Sequence, residues 1–218
     1  MTHCPIPFRK TLKNIRGWFR TKFLLWHRHR RLERKLEIGC GGQRIEGFET
    51  LNMVSGRYVD YVLDASKQLP FRDNSFELIY ASHVLEHIPW YQTEAVLSEW
   101  VRILKPEGRL EVWVPDGVKI CRAFVDAELH DDNYIDKDGW YRYNPERDPC
   151  KWASGRIFTY GDGKGSPSSP NWHRAIFSRR FLKLIMGKAG LHDVHEMERS
   201  QVRGEDHGWI TLGMTGTK

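Results

Sequence analysis

Apolar residues near the start of the chain recur at the spacing of an α-helix. Six of them follow one another at intervals of three or four positions: Phe8, Leu12, Ile15, Phe19, Phe23 and Trp26. Such intervals place all six on one narrow stripe of a helix. Basic residues fall along one flank of that stripe, at Arg9, Lys13, Arg16 and Arg20. The pattern predicts a basic amphipathic helix over residues 8–26.

From Lys35 onward the pattern changes to short apolar runs separated by polar segments. Seven runs predict strands: KLEIG (35–39), ETLNM (49–53), YVDYVLD (58–64), FELIYAS (76–82), RLEVWVP (109–115), VHEME (194–198) and WITLGMTG (209–216). Segments with helical spacing alternate with them, at 93–104, 118–129 and 178–189. Strands that alternate with helices indicate an α/β fold. We therefore expect a Rossmann-like, seven-stranded, mostly parallel sheet with flanking helices, plus the N-terminal amphipathic helix.

Residues 131–172 do not follow this alternation. They are rich in Gly, Ser, Pro, Tyr and Trp, and a stretch of this length without periodicity is typical of a lid or a binding loop. Its aromatic residues favour order, so we expect a partly folded insertion over a site. The predicted organisation is a basic helical arm (1–34) followed by one domain (35–218) that contains the insertion.

The charge distribution and the cysteine content limit the metal sites and the cellular location that can be expected. The net charge is +6, but residues 1–35 contain eleven Lys or Arg and one acid, which leaves 23 basic and 27 acidic residues for the remainder. The basic excess thus belongs to the arm. The four cysteines have neither disulfide-framework nor metal-ligand spacing, so no metal site is expected and a reducing cytoplasm is the natural location. No apolar run approaches the ~20 residues that a membrane span needs.

A glycine-rich turn follows the first predicted strand, at Gly39, Gly41 and Gly42. In an open α/β sheet, ligands bind beyond the carboxyl ends of the strands, so this turn is placed for a cofactor. A dinucleotide favours GxGxxG at the start of a full helix. Here the third position is Arg44, and only nine residues, 42–50, precede the next apolar segment. A nicotinamide-dependent oxidoreductase is therefore disfavoured.

Three blocks of sequence occur in a characteristic order: EIGCG (37–41), LPFRDNSFELIYASHVLEHI (69–88) and LKPEG (104–108). Together they resemble the class I S-adenosylmethionine-dependent methyltransferases, in particular a bacterial branch of the methyltransferase type 11 kind. The similarity extends from about Leu36 to Asp116. It implies a methyltransferase that uses S-adenosyl-L-methionine.

The resemblance also implies a set of cofactor-binding residues. Glu37 would hold the methionine ammonium, directly or through water, and the backbone of Gly39, Cys40 and Gly41 would approach the cofactor. Asn52, followed by Met53, stands where the family has an acid for the ribose hydroxyls. Asp64 and Ala65 would contact the adenine, and Ser82 and His83 would lie near the sulfonium. Each side chain has a structural alternative, such as a strand-end charge at Glu37 or a cap at Asp64.

Methyl transfer to a hydroxyl is assisted by a general base. The candidates are His83, Asp116 and His173, with His173 preferred because it closes the insertion. A packing or capping role for His173 is the alternative.

The segment after the fourth predicted strand bears on the methyl acceptor. Enzymes that methylate base or glutamine nitrogens typically carry an Asn-Pro-Pro-Tyr or Asp-Pro-Pro-Tyr motif there. This chain has Ser82-His83-Val84-Leu85 instead, which favours a hydroxyl on a small molecule, a glycan or a lipid-linked molecule as the acceptor. The arm either packs on the domain or lies on an anionic membrane, peripheral on its inner face. Nucleic acid is disfavoured as a partner. A non-catalytic cofactor-fold protein that acts in assembly or membrane attachment remains the alternative.

Overall fold

The computed structural model describes residues 8–28, 33–130, 144–159 and 166–218. The helices are α1 (Phe8–Arg28), α2 (Thr93–Ile103), α3 (Gly117–His130), α4 (Pro149–Phe158) and α5 (Arg179–Lys188). The strands are β1 (Lys35–Ile38), β2 (Phe48–Asn52), β3 (Tyr61–Val62), β4 (Phe76–Ser82), β5 (Leu104–Pro115), β6 (His192–Met197) and β7 (Thr211–Thr217). Short 3-10 turns lie at Leu85–His87, Trp90–Gln92 and Arg199–Gln201.

The seven strands form one sheet in the order β3-β2-β1-β4-β5-β7-β6. The pairs from β3 to β5 are parallel, whereas β7 is antiparallel to both β5 and β6. The predicted seven-stranded, mostly parallel sheet with flanking helices is confirmed. Parallel strands bring their carboxyl ends to one edge, so the segments after β1, β2, β3 and β4 meet there.

The helices form as their sequences indicate. α5 begins after Ser178, whose hydroxyl accepts a hydrogen bond from the Phe181 amide at 3.2 Å, and it ends before Gly190, which has a φ of +100°. Its apolar face, Leu182, Ile185 and Met186, is buried in the main core with α2. The serine cap and the glycine after the helix are the signals that predicted its ends.

The insertion contains one helix that the sequence pattern did not predict. α4 begins at Pro149 after Asp148, whose carboxylate accepts from the Lys151 amide at 2.7 Å. It packs against α3 around Trp152, which stacks on Trp209 with ring centroids 6.4 Å apart. Residues 131–143 and 160–165 of the predicted insertion lie outside the described residues.

The connection between β1 and β2 is unusually short for a parallel crossover, which normally contains a helix. All of its residues, 39–47, are described and none is helical, which confirms the prediction of a missing helix. The face of the sheet that such a helix would cover holds a second apolar cluster, formed by Phe48, Leu78, Tyr80, Trp113 and Met197. Ile45 and Val202 pack on it, and the Gly204 amide donates to the Tyr80 hydroxyl at 3.4 Å. A segment from near the end of the chain thus replaces the helix.

Helix α1 lies along the edge strand β3 and is fixed there by charge. Asp60, fully buried, accepts Arg20 and Arg28 from the helix, each at 2.9 Å, and Arg44 from the glycine turn at 2.8 Å. The Thr21 hydroxyl accepts from the Val62 amide at 2.9 Å. Leu24 and Leu25 also pack against the main core. Phe19, Phe23 and Trp26, by contrast, are 63%, 60% and 73% exposed.

Candidate functional site

A cavity of about 670 Å³ opens at the carboxyl ends of β1 to β4. Six of the residues predicted for the cofactor line it: Gly39, Asn52, Met53, Asp64, Ala65 and His83. Its opposite wall includes Tyr91, Gln92, Asn171 and Arg174, so the end of the insertion faces the strand ends. A second cavity of about 680 Å³ lies between α3 and the start of α5. None of the predicted cofactor residues lines that groove, and we therefore place the candidate site in the first cavity.

Gly39 is required by the backbone at the end of β1. Its φ is +81°, and a Cβ atom there would lie 2.1 Å from the Val84 Cγ2 atom. A side chain would therefore be strained and would collide with the turn after β4, whether or not a ligand is bound. Gly41 is different, because a Cβ atom there would have no other atom within 4 Å.

Asn52 uses its amide within the protein. Its Nδ2 donates to the Cys40 carbonyl at 2.7 Å, and its Oδ1 accepts from the Val54 amide at 3.3 Å. The side chain thereby joins the end of β2 to the glycine turn while it lines the cavity. A carboxylate could not make the first of these bonds, since it has no proton to donate.

Asp64 ends the segment after β3 with its carboxylate at the cavity. Its Oδ1 accepts from the Ser66 amide at 2.9 Å and from the Ser66 hydroxyl at 2.7 Å. The neighbouring Ala65 is buried, and its carbonyl accepts the Trp100 indole N–H at 3.1 Å. The Trp100 contact and the Asp64–Ser66 turn hold this wall in place.

Four predicted cofactor residues do not line the cavity: Glu37, Cys40, Gly41 and Ser82. Cys40 is buried, and burial raises the pKa of its thiol to about 11, so it is not a reactive thiol. Ser82 lies next to the Tyr80 hydroxyl, on the face of β4 turned away from the main core. Gly41 is exposed at the turn.

Glu37 is a buried carboxylate within the sheet. It is 7% exposed, and its Oε2 has no hydrogen-bond partner among the described residues. Burial raises the pKa of Glu37 above the ordinary value, against the opposing effects of a hydrogen bond from the Ile45 backbone and the charge of Arg44. A buried acceptor without a partner is what a cationic ligand group could satisfy.

The turn after β4 brings several ionisable side chains together beside the cavity. His83 has a φ of +53°, which is uncommon for a non-glycine residue. Its Nδ1 lies 3.1 Å from Glu86 Oε1, and its ring lies 3.9 Å from that of His207, centroid to centroid. His83 and His87 both line the cavity, whereas Glu86 is 1% exposed behind them.

The other two candidate bases are placed differently from His83. Asp116 caps helix α3, because its Oδ1 accepts from the Val118 and Lys119 amides at 2.9 and 3.2 Å. His173 is buried behind the cavity wall, 5.0 Å from the His87 ring, and burial lowers the pKa of His173. Of the three candidates, His83 faces the cavity.

Glu86 is the central residue that the sequence analysis missed. The signal was present in HVLEH, residues 83–87, since His-x-x-Glu-His is a spacing known from metal-binding proteins. The motif alone did not indicate that His173, 86 positions further along the chain than His87, would join the same cluster.

Comparison with known proteins supports the fold and shows which proteins this chain resembles. Residues 46–112 match a family model described as a methyltransferase domain. A segment of 126 residues is 24% identical to a sterol 4-C-methyltransferase of Caenorhabditis elegans; it covers 58% of this chain and spans 33% of that relative. A solved S-adenosylmethionine-dependent methyltransferase of Archaeoglobus fulgidus shares the fold, with a TM-score of 0.50 at 14% identity and 94% of each chain covered.

Proposed function

We propose that the chain is a class I S-adenosylmethionine-dependent methyltransferase and that it methylates a hydroxyl of a small-molecule, glycan or lipid-linked acceptor. The observation that carries the proposal is the cavity at the strand ends, with Gly39, Asn52 and Asp64 on one wall and His83 beside them. When bound, the cofactor supplies a methyl group already activated on a sulfonium. The protein has then to align the acceptor and exclude water.

The residues present fit this cofactor. The cavity of about 670 Å³ lies within the usual range of small-molecule sites. Asn52 and Asp64 line the cavity with polar side chains, and Asp64 offers an acceptor to an exocyclic amine. Glu37, which does not line the cavity, has a buried carboxylate oxygen that would reach an ammonium group through water.

His83 is the residue that we assign to the acceptor hydroxyl. Glu86 contacts its Nδ1 atom at 3.1 Å, which orients the ring, and its Nε2 has no hydrogen-bond partner among the described residues. That nitrogen is buried in this structure, so it would accept a hydrogen bond only from an acceptor hydroxyl that enters beside the ring. Asp116 is excluded from this role by its capping bonds to α3.

We further propose that helix α1 brings the site to an anionic membrane surface. Its polar face is bound to Asp60, whereas its aromatic residues Phe19, Phe23 and Trp26 are exposed. Apolar exposure beside basic flanks is typical of helices that lie in the membrane interface. Within the described parts of the chain, none of the helices has the length and apolar character needed to cross a bilayer.

Cofactor binding is tested by calorimetry with S-adenosylmethionine and its demethylated product. We expect binding to the wild type and a loss of at least tenfold in Asp64→Ala, since this side chain lines the cavity and would no longer offer an acceptor to the cofactor (~1.4 kcal/mol per tenfold). Asp73→Ala is the matched control, because that carboxylate is 70% exposed and does not line the cavity. Equal affinity in all three proteins would contradict the site.

Catalysis is tested separately with radiolabelled cofactor and an extract of lipids and glycans. We expect label to enter the extract with the wild type and to fall with His83→Asn by far more than the binding of the demethylated product does. Asparagine is chosen because it tolerates a positive φ. Cofactor binding without any methyl transfer would favour the non-catalytic alternative.

A further inference from the structure

A cluster of metal-ligand atoms lies beside the cavity. Glu86, His87 and His173 each offer one atom, and these three atoms all lie within 4.8 Å of one another. Ligand atoms bound to one zinc ion at ~2.0–2.2 Å are about 3.4 Å apart. Small side-chain rotations would bring the three ligand atoms to this spacing. We propose that these three residues bind a divalent transition-metal ion of the Zn²⁺ class.

The two histidines are oriented as metal ligands usually are. The Nδ1 atom of His87 lies 3.4 Å from the Trp172 carbonyl oxygen, and His173 makes a hydrogen bond to the Arg156 backbone. A carbonyl oxygen can only accept, so each ring donates an N–H there, and its other nitrogen keeps a lone pair. Metal-binding histidines characteristically donate their second N–H in this way.

Glu86 supplies the negative charge of the proposed metal site. Its side chain is 1% exposed, and neither of its carboxylate oxygens has a hydrogen-bond partner among the described residues. The His83 Nδ1 atom lies 3.1 Å from Oε1, and one nitrogen of His87 and one of His173 lie within 4.8 Å of the carboxylate. An ionised carboxylate in the interior requires cationic partners. A metal ion on Oε2 would provide one while His83 stays on Oε1.

The donor set indicates the kind of ion and site. Two imidazole nitrogens and one carboxylate oxygen suit Zn²⁺, and three protein ligands leave a coordination position open. Because His87 lines the cavity, that position would face it. The proposal that the ion binds does not depend on the proposed methyl transfer. A role for the ion in holding an acceptor hydroxyl would rest on that proposed function.

The test uses the purified full chain, stripped with a chelator and titrated with Co²⁺ and then with Zn²⁺. We expect one ion per chain, a visible ligand-field absorption with Co²⁺ and its loss on adding Zn²⁺. Glu86→Gln, His87→Gln and His173→Gln should each weaken binding by more than the ~10- to 100-fold typical of outer-shell changes. His195→Gln, an exposed histidine on β6, controls for adventitious binding and should behave as the wild type.

Binding of the demethylated cofactor to each variant, measured by calorimetry, reports whether the fold and the cofactor site persist. The wild-type titration decides the question even if a variant fails to fold. If the wild type gives no stoichiometric Co²⁺ absorption, the cluster is a hydrogen-bond network and the proposal is wrong. Binding that survives in all three ligand variants would overturn it equally.

Discussion

Glu37 illustrates how one residue can lower stability in favour of binding. Its carboxylate is buried in β1, and burial raises its pKa. The folded state therefore holds the proton of Glu37 more readily than the unfolded state does. Above the ordinary Glu pKa of about 4.3, ionisation of this group opposes folding, and the cost grows until the raised pKa has been passed.

We predict that Glu37→Gln separates these two effects. The variant should lose less stability than the wild type as the pH rises from about 4 to 7, because the buried charge is gone. Its affinity for S-adenosylmethionine should fall about 10- to 100-fold, which corresponds to a charged hydrogen bond of ~1.5–3 kcal/mol. Thermal unfolding against pH and calorimetry measure the two quantities.

The control is Glu77→Gln, in the adjacent strand β4, where the side chain is 35% exposed and pairs with Lys35 at 3.7 Å. Both the pH dependence of stability and the affinity for S-adenosylmethionine should remain at wild-type values. A Glu37→Gln variant with unchanged cofactor affinity would show that this carboxylate does not hold the ammonium group.

For Asn52, the structure leads to a prediction opposite to the one that the family pattern alone would give. An acid at this position would be expected to strengthen ribose binding, but Asn52→Asp would remove the donor to Cys40 and set a carboxylate against its carbonyl oxygen, 2.7 Å from the present Nδ2. We expect a loss of about 1–3 kcal/mol in stability and no gain in affinity. Chemical denaturation and calorimetry test this, and tighter binding with unchanged stability would contradict it.

At the residue scale, sequence reasoning identified the wall of the cavity but not its surroundings. The resemblance to the methyltransferase family assigned Gly39, Asn52, Asp64 and His83 to the cofactor, and each lies at or just after the end of a predicted strand. Glu86 and His173 come from different segments, and their proximity depends on how the insertion returns to the sheet. That return is a tertiary contact, made where the Arg174 amide donates to the Glu86 carbonyl at 2.7 Å.

At the scale of elements, Asp60 joins three separate segments: helix α1, the glycine turn and the start of β3. Burial alone would raise the pKa of Asp60, but hydrogen bonds from Arg44 and Arg28 hold it below its ordinary value. Its contribution to stability is present above the unfolded Asp pKa of about 3.9. It is lost as the pH falls through that value toward the lower pKa of the folded state.

We predict that Asp60→Asn lowers the free energy of unfolding by about 3 kcal/mol, since it leaves arginines without their buried partner. Trypsin should also release the α1 segment faster. Asp73→Asn is the matched control: its carboxylate pairs with Arg102 but is 70% exposed, so the loss should stay below about 1 kcal/mol. Equal losses in the two variants would mean that Asp60 does not anchor the helix.

The elements themselves were largely predictable because their periodicity and end signals are local. Helix α4 was not, since the predicted insertion shows no clear apolar stripe and the helix depends on packing of Trp152 against Trp209. The third strand is shorter than its apolar run suggested, with only Tyr61–Val62 paired. Helix α1 lies against this edge strand, so residues of the apolar run contact the helix as well as pairing in the sheet.

At the scale of the whole molecule, the exposed aromatic face of α1 and the basic arm predict binding to acidic vesicles. Replacing Phe19, Phe23 and Trp26 together by Ser should reduce co-sedimentation at least tenfold, because each large apolar side chain contributes ~1.5–3 kcal/mol when buried. High salt should weaken wild-type binding. Deleting the arm is a poorer test, since it would also remove Arg20 and Arg28 from Asp60.

The control for this experiment is Leu129→Ser with Leu184→Ser, two residues that are 69% and 54% exposed on other helices. That variant should sediment like the wild type. A wild-type chain that stays in solution with acidic vesicles at low salt would refute the membrane proposal.

The short β1–β2 connection has a consequence for how the protein is made. The apolar face that a crossover helix would cover is closed by residues near the end of the chain, and the contact between Tyr80 and Gly204 spans 124 positions. Strand β7, which lies between β5 and β6 in the sheet, also follows β1 to β6 in the sequence. The sheet is thus completed only after residues 202–217 have left the ribosome, and until then the nascent chain presents uncovered apolar surface of the kind that chaperones recognise.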